Sequence, residues 1–137
     1  MRDKESARYI QTRVAHRAEL AEDYVEAILD LIDEDGDAKL TEIARRLGVA
    51  HPTAFKSLRK LEAEGFVELT PYRPVLLTTK GKKLAESCRV RHEAVVRFLV
   101  SMGVPQEQAE LDAEGIEHHV SEVTIRAIQE RLAQNPE

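Results

Sequence analysis

Lys39-Leu40-Thr41-Glu42-Ile43-Ala44-Arg45-Arg46-Leu47-Gly48-Val49-Ala50-His51-Pro52-Thr53-Ala54-Phe55-Lys56-Ser57-Leu58-Arg59-Lys60-Leu61 is the stretch whose reading decides the fold. Thr41 can cap a short helix with Ile43, Ala44 and Leu47 on its inner face, and Gly48 supplies the tight turn that follows. Pro52 suits the first turn of a second helix, where a missing N–H costs nothing. In that second helix Ala54, Leu58 and Leu61 recur at helical spacing and must pack inward. Opposite them fall Pro52, Lys56, Arg59 and Lys60, a convex basic face suited to a major groove. The pattern reads as a helix-turn-helix, with His51, Pro52, Thr53, Lys56, Arg59 and Lys60 as the DNA-facing candidates. A plain two-helix hairpin with a wet basic face would look similar, so the flanking segments have to decide.

Downstream, Phe66-Val67-Glu68-Leu69-Thr70 and Val75-Leu76-Leu77-Thr78 are two short β-rich runs around Pro71-Tyr72-Arg73-Pro74. A helix-turn-helix followed by such a hairpin is a winged helix, its tip Arg73 placed to reach a phosphate or a minor groove. Phe55 is the odd residue of the reading helix: its ring is either partly buried or offered to a thymine methyl. Upstream, Leu20, Tyr24, Val25, Ile28, Leu29, Leu31 and Ile32 predict a helix from Glu19 to Glu34, stopped by Asp35-Gly36-Asp37. Residues 1–18 are polar and weakly patterned, a helical or frayed arm. Beyond the wing, Leu84, Cys88, Val95, Leu99 and Met102 mark a long helix from Lys80 to about Met102, ended by Gly103-Val104-Pro105. Residues 105–119 predict another helix. Ser121-Glu122-Val123-Thr124 looks like the capped start of a last one through Ala133, with Val120, Val123, Ile125, Ile128 and Leu132 on its apolar side. The expected fold is mainly α: an N-terminal winged helix-turn-helix with a small β-hairpin wing, then a helical dimerisation domain. Its expected divisions are an arm (1–18), a DNA-binding domain (19–79) and a metal-binding and dimerisation domain (80–137).

The formal net charge of -5 conceals three regions. Residues 1–38 carry 5 basic and 11 acidic side chains, residues 39–91 carry 12 and 5, and residues 92–137 carry 3 and 9. A basic middle third suits a polyanion, while the acidic ends suit a cation. No run of about 18 apolar residues offers a membrane span, and the charged start does not resemble an export segment, so a cytoplasmic protein is expected. One cysteine, Cys88, excludes a disulfide within the chain and any thiolate cluster.

Glu114-Gly115-Ile116-Glu117-His118-His119 is the densest group of metal-binding side chains. On a helix Glu114, Glu117 and His118 stand at i, i+3 and i+4 and share one face. Two carboxylates and an imidazole so crowded repel unless a cation sits among them, and oxygen with imidazole ligation suits Mn, Fe, Co or Zn. A solvated acidic helix face is the plainer alternative. The same choice applies to Asp23 and Glu26, three apart on the first long helix, and to His92, beside the stripe of the later one.

Asp23-Tyr24-Val25-Glu26, the helix-turn-helix, Leu76-Leu77-Thr78-Thr79-Lys80-Gly81, Arg91-His92-Glu93 and Asp112 to His119 occur in the order that characterises the diphtheria-toxin-repressor family of metal-dependent transcriptional repressors. Over about residues 19–133 the chain resembles the manganese transport regulator branch of that family. The resemblance implies a ligand set of Asp23, Glu26, His92, Glu114, Glu117 and His118, taking Mn(II) with room for two ions per subunit. Iron-sensing relatives carry a methionine and a cysteine where this chain has Asp23 and Glu117, and ligation without sulfur favours manganese. It further implies a homodimer on a palindromic double-stranded DNA operator, repressing manganese uptake genes when metal is bound, with no membrane or organic substrate involved and no enzymatic activity. Two other readings stay open: a winged-helix repressor triggered by Fe, Zn or an organic ligand, and a carboxylate-bridged dinuclear enzyme. The enzyme would need Glu-x-x-His on paired helices, which the chain does not offer.

Overall fold

In the computed structural model, which describes residues 4–134, the deciding stretch forms α2 (Leu40–Leu47) and α3 (His51–Ala63). Gly48 between them takes a left-handed conformation with φ 68°, and its N–H and that of Val49 close the end of α2 onto Arg45 and Ala44 carbonyls. Thr41 does not cap α2: the N-cap is Lys39, one residue outside the helix, with no side-chain hydrogen bond. Ala50 caps α3 equally bare, so both helices lean on tertiary packing rather than on their caps. That packing is extensive: Ile43, Ala54, Leu58 and Leu61 are buried together with Tyr24, Ile28 and Leu31.

Those last three come from α1 (Lys4–Asp35), which begins well before the helix expected from Glu19. Residues 4–18 are therefore helical, and the first three residues of the expected arm, like residues 135–137, lie outside the described residues. Arg46 of α2 donates to both carboxylate oxygens of Glu34 on α1, at 3.0 and 2.7 Å. The wing is shorter than the sequence suggests, with β1 (Val67–Glu68) and β2 (Leu76–Leu77) antiparallel and in register Val67↔Leu77. Its tip holds Tyr72 at φ 62°, fully exposed.

Thr78 ends the wing and starts α4 (Thr79–Ser101). Its hydroxyl accepts from the Gly81 N–H at 3.0 Å and donates to the Gly65 carbonyl at 2.7 Å. This N-cap welds the helix start to the sheet. Gly81 is required there: a β-carbon at that position would overlap the Phe66 carbonyl and crowd Leu77.

The chain divides into two compact units. One runs Leu20–Ser87; the other gathers the described residues up to Glu19 and from Cys88 on. In the second unit α5 (Gln106–Ile116) and α6 (Glu122–Gln134) pack with α4 around Val95, Val96, Ala109, Ala113 and Ile125. Ser121 caps α6, its hydroxyl accepting from the Thr124 N–H at 3.2 Å, as the sequence suggests. Two expected apolar positions face outward instead, Met102 and Val123, 59% and 74% exposed. Cys88 is buried. No described helix is long and apolar enough to cross a membrane.

Candidate metal centre and nucleic-acid interface

The helix expected over residues 105–119 stops at Ile116, and Glu117–His119 form a 3₁₀ turn. Arg91 of α4 explains the tighter turn. Its guanidinium donates to the backbone carbonyl of Glu117 and, at 2.7 Å, to that of Val120, serving carbonyls that the end of a helix leaves without partners. The turn rotates Glu117 and His118 inward, where both are buried, while Glu114 stays exposed on α5.

Four of the six expected ligands meet in this unit. His92 Nδ1 stands 3.1 Å from Glu117 Oε1 and 3.7 Å from Glu114 Oε1, and His118 Nε2 is 4.0 Å from Glu117 Oε1. His92, Glu114 and Glu117 each offer a ligand atom within 4.8 Å of the others. The second oxygen of Glu117, on a side chain 1% exposed, has no hydrogen-bond partner among the described residues. A buried carboxylate oxygen without a donor is costly, and a cation is what would relieve it. The donor set, imidazole and carboxylate without sulfur, therefore fits a divalent ion of the manganese to zinc range. Asp23 and Glu26 belong to the other unit, half-buried and three residues apart on α1.

Without an ion, protons do part of that work. The hydrogen bond to Glu117 raises the His92 pKa from 6.5 to about 9, with Glu110 adding to the effect and burial opposing it. Glu110, 2.8 Å from His92 Nε2, is held below the ordinary carboxylate range by that imidazolium. Sequence reasoning missed Glu110 and the clasp of Arg91. Both reach across 18 residues or more, and no local spacing announces them.

The first unit carries the DNA-facing candidates. His51, Pro52, Thr53, Lys56, Arg59 and Lys60 are all exposed on α3, and Arg73 is exposed at the wing tip. A groove of about 1010 Å³ runs between reading helix and wing, lined by His51, Pro52, Phe55, Arg59, Tyr72 and Arg73 among others. Phe55 is 45% exposed, and Arg59 holds its guanidinium carbon 5.8 Å from the ring centroid, one helical turn away.

A winged helix with an exposed basic reading face, and beside it in sequence a helical unit with a sulfur-free histidine–carboxylate cluster, defines a metal-dependent DNA-binding regulator. Residues 17–75 match the iron dependent repressor N-terminal DNA binding domain, and residues 78–137 match the iron dependent repressor metal binding and dimerisation domain. The chain belongs to the iron dependent repressor family, whose members are regulators and not enzymes. It is 52% identical over 117 residues to the transcriptional regulator MntR of Escherichia coli O6:H1, covering 85% of this chain and 76% of that one. It is 41% identical over 100 residues to the regulator MntR of Bacillus velezensis, covering 73% and 70%. Among solved structures, a manganese-dependent transcriptional repressor in complex with manganese superposes with a TM-score of 0.76 at 30% identity. That match covers 82% of this chain and 52% of the other, so the chain spans about half the length of that structure.

Proposed function

We propose that this protein is a manganese(II)-responsive repressor that binds a palindromic operator as a homodimer in the cytoplasm and shuts down manganese uptake genes when metal is plentiful. The buried Glu117 carboxylate, one oxygen lacking a donor and the other beside His92, is the observation that carries this reading. His92, Glu114, Glu117 and His118 would hold the ion, with Asp23 and Glu26 contributed by α1 and room for two ions per subunit. Mn(II), when bound, supplies a double positive charge among these carboxylates in place of the His92 proton. Glu117 and His118 need no rearrangement of their turn to bind, because Arg91 already fixes its backbone. On the DNA side, Lys56, Arg59, Lys60 and Arg73 neutralise phosphates, while His51, Pro52 and Thr53 open the reading helix toward the groove. Ligands drawn from α1, which leads into the reading unit, and from the dimerisation unit make metal loading and operator binding one linked equilibrium. A difference of about 2.7 kcal/mol in metal affinity between competent and incompetent forms switches occupancy about a hundredfold.

Operator gel shifts in EDTA and then in excess Mn(II) test this. Binding should strengthen at least a hundredfold with Mn(II) and vanish on chelation. Equal binding in both, or a response to Fe(II) or Zn(II) but not Mn(II), overturns it. Glu117→Ala should abolish the Mn(II) response, whereas Arg59→Ala should weaken operator binding and leave calorimetric Mn(II) uptake unchanged.

A further inference from the structure

We propose that His16, Glu19 and His119 form an additional cation site, one that takes a nitrogen-preferring divalent metal such as Zn(II), Co(II) or Ni(II). It goes beyond the manganese reading and does not rest on it. Two imidazoles converge on a single carboxylate oxygen: His119 Nε2 lies 3.1 Å and His16 Nδ1 3.8 Å from Glu19 Oε1. His16 and Glu19 share a face of α1 at i and i+3, and His119 closes the 3₁₀ turn that Arg91 clamps, so two of the three anchors sit on regular helix and the third on a fixed backbone.

With metal–nitrogen and metal–oxygen bonds of about 2.0–2.2 Å, neighbouring ligand atoms of one coordination sphere stand about 3.0–3.5 Å apart. The Glu19–His119 pair already meets that distance, whereas His16, 80% exposed and 3.8 Å from Glu19 Oε1, has to swing in to complete the sphere. Glu19 and His119 remain 29% and 36% exposed, leaving an ion an entry path and water for its other positions. Donor balance separates this site from its neighbour. Two imidazoles and one carboxylate favour zinc, cobalt or nickel, whereas His92, Glu114 and Glu117 supply one imidazole and two carboxylates. A ligand atom of His118 lies within 4.8 Å of one on Glu19, so an ion here would sit beside the ligand set proposed for manganese.

Zn(II) titration of the metal-free full chain, followed by calorimetry and mass spectrometry, tests the assignment, with Co(II) absorption as a second readout. The double variant His16→Ala/His119→Ala should bind one fewer Zn(II) per chain and lose one visible Co(II) component while keeping its Mn(II) uptake. Unchanged Zn(II) stoichiometry and affinity would overturn the site. Glu19→Gln, which preserves shape, should weaken Zn(II) at this site at least tenfold; no change there also overturns it. Loss of the Mn(II)-dependent gel shift in the wild type, with the extra Zn(II) equivalent intact, would sink the manganese reading and leave this site standing.

Discussion

His92 is where proton and metal compete. Its pKa, raised from 6.5 to about 9 chiefly by the hydrogen bond to Glu117, means that the metal-free protein carries an imidazolium at neutral pH. A raised histidine pKa stabilises the fold fully below 6.5 and ceases to do so as pH rises through 9. Metal-free protein should therefore lose unfolding free energy between pH 6.5 and 9 in denaturant titrations, and His92→Gln should flatten that slope. A divalent ion must displace the same proton, so Mn(II) affinity should climb with pH over that window. About one proton released per ion from His92 at pH 7.5, measured by calorimetry in buffers of different ionisation enthalpy, is the expected result. No buffer dependence would remove His92 from the ligand set.

At the scale of elements, the joints between them govern stability. Gly81→Ala drives a methyl into the Phe66 carbonyl just where Thr78 welds wing to α4, and should cost about 1–3 kcal/mol in chemical denaturation. Ala50 is an extended N-cap (ψ 150°) without a side-chain acceptor, so Ala50→Ser should raise stability by about 0.5–2 kcal/mol, read as a higher thermal midpoint. Most of this architecture was legible beforehand. The inward periodicity of Ala54, Leu58 and Leu61, the turn at Gly48 and the Ser121 cap all follow from local rules that packing reinforces. What escaped was decided at long range. Spacing alone could not tell that Glu117–His119 leave the helix, since the cause is a guanidinium 26 residues earlier in the chain. For the arm the sequence left helical and frayed both open, because residues 4–18 lack the apolar stripe by which a helix is recognised; the structure has them helical. The cluster's residue types were readable; its partner Glu110 was one acid among 25, as was Glu19, which meets His119.

Over the whole molecule, charge is sorted by task. The stretch 39–91, which includes the reading helix and wing, carries 12 basic side chains, and the acidic excess lies on either side of that region in the sequence. If Lys56, Arg59, Lys60 and Arg73 each neutralise one phosphate per protomer, a dimer releases counterions from eight, giving a slope of about −7 in log affinity against log salt. Lys56→Ala should reduce that slope by about 2, because both protomers lose a contact. A shallow slope that the variant leaves untouched would mean that α3 is not the face that meets DNA. One further property follows from the concealed Cys88. A sensor whose proposed ligands contain no sulfur, and whose lone thiol is shut inside the fold, keeps thiol oxidation away from the groups that would hold its metal.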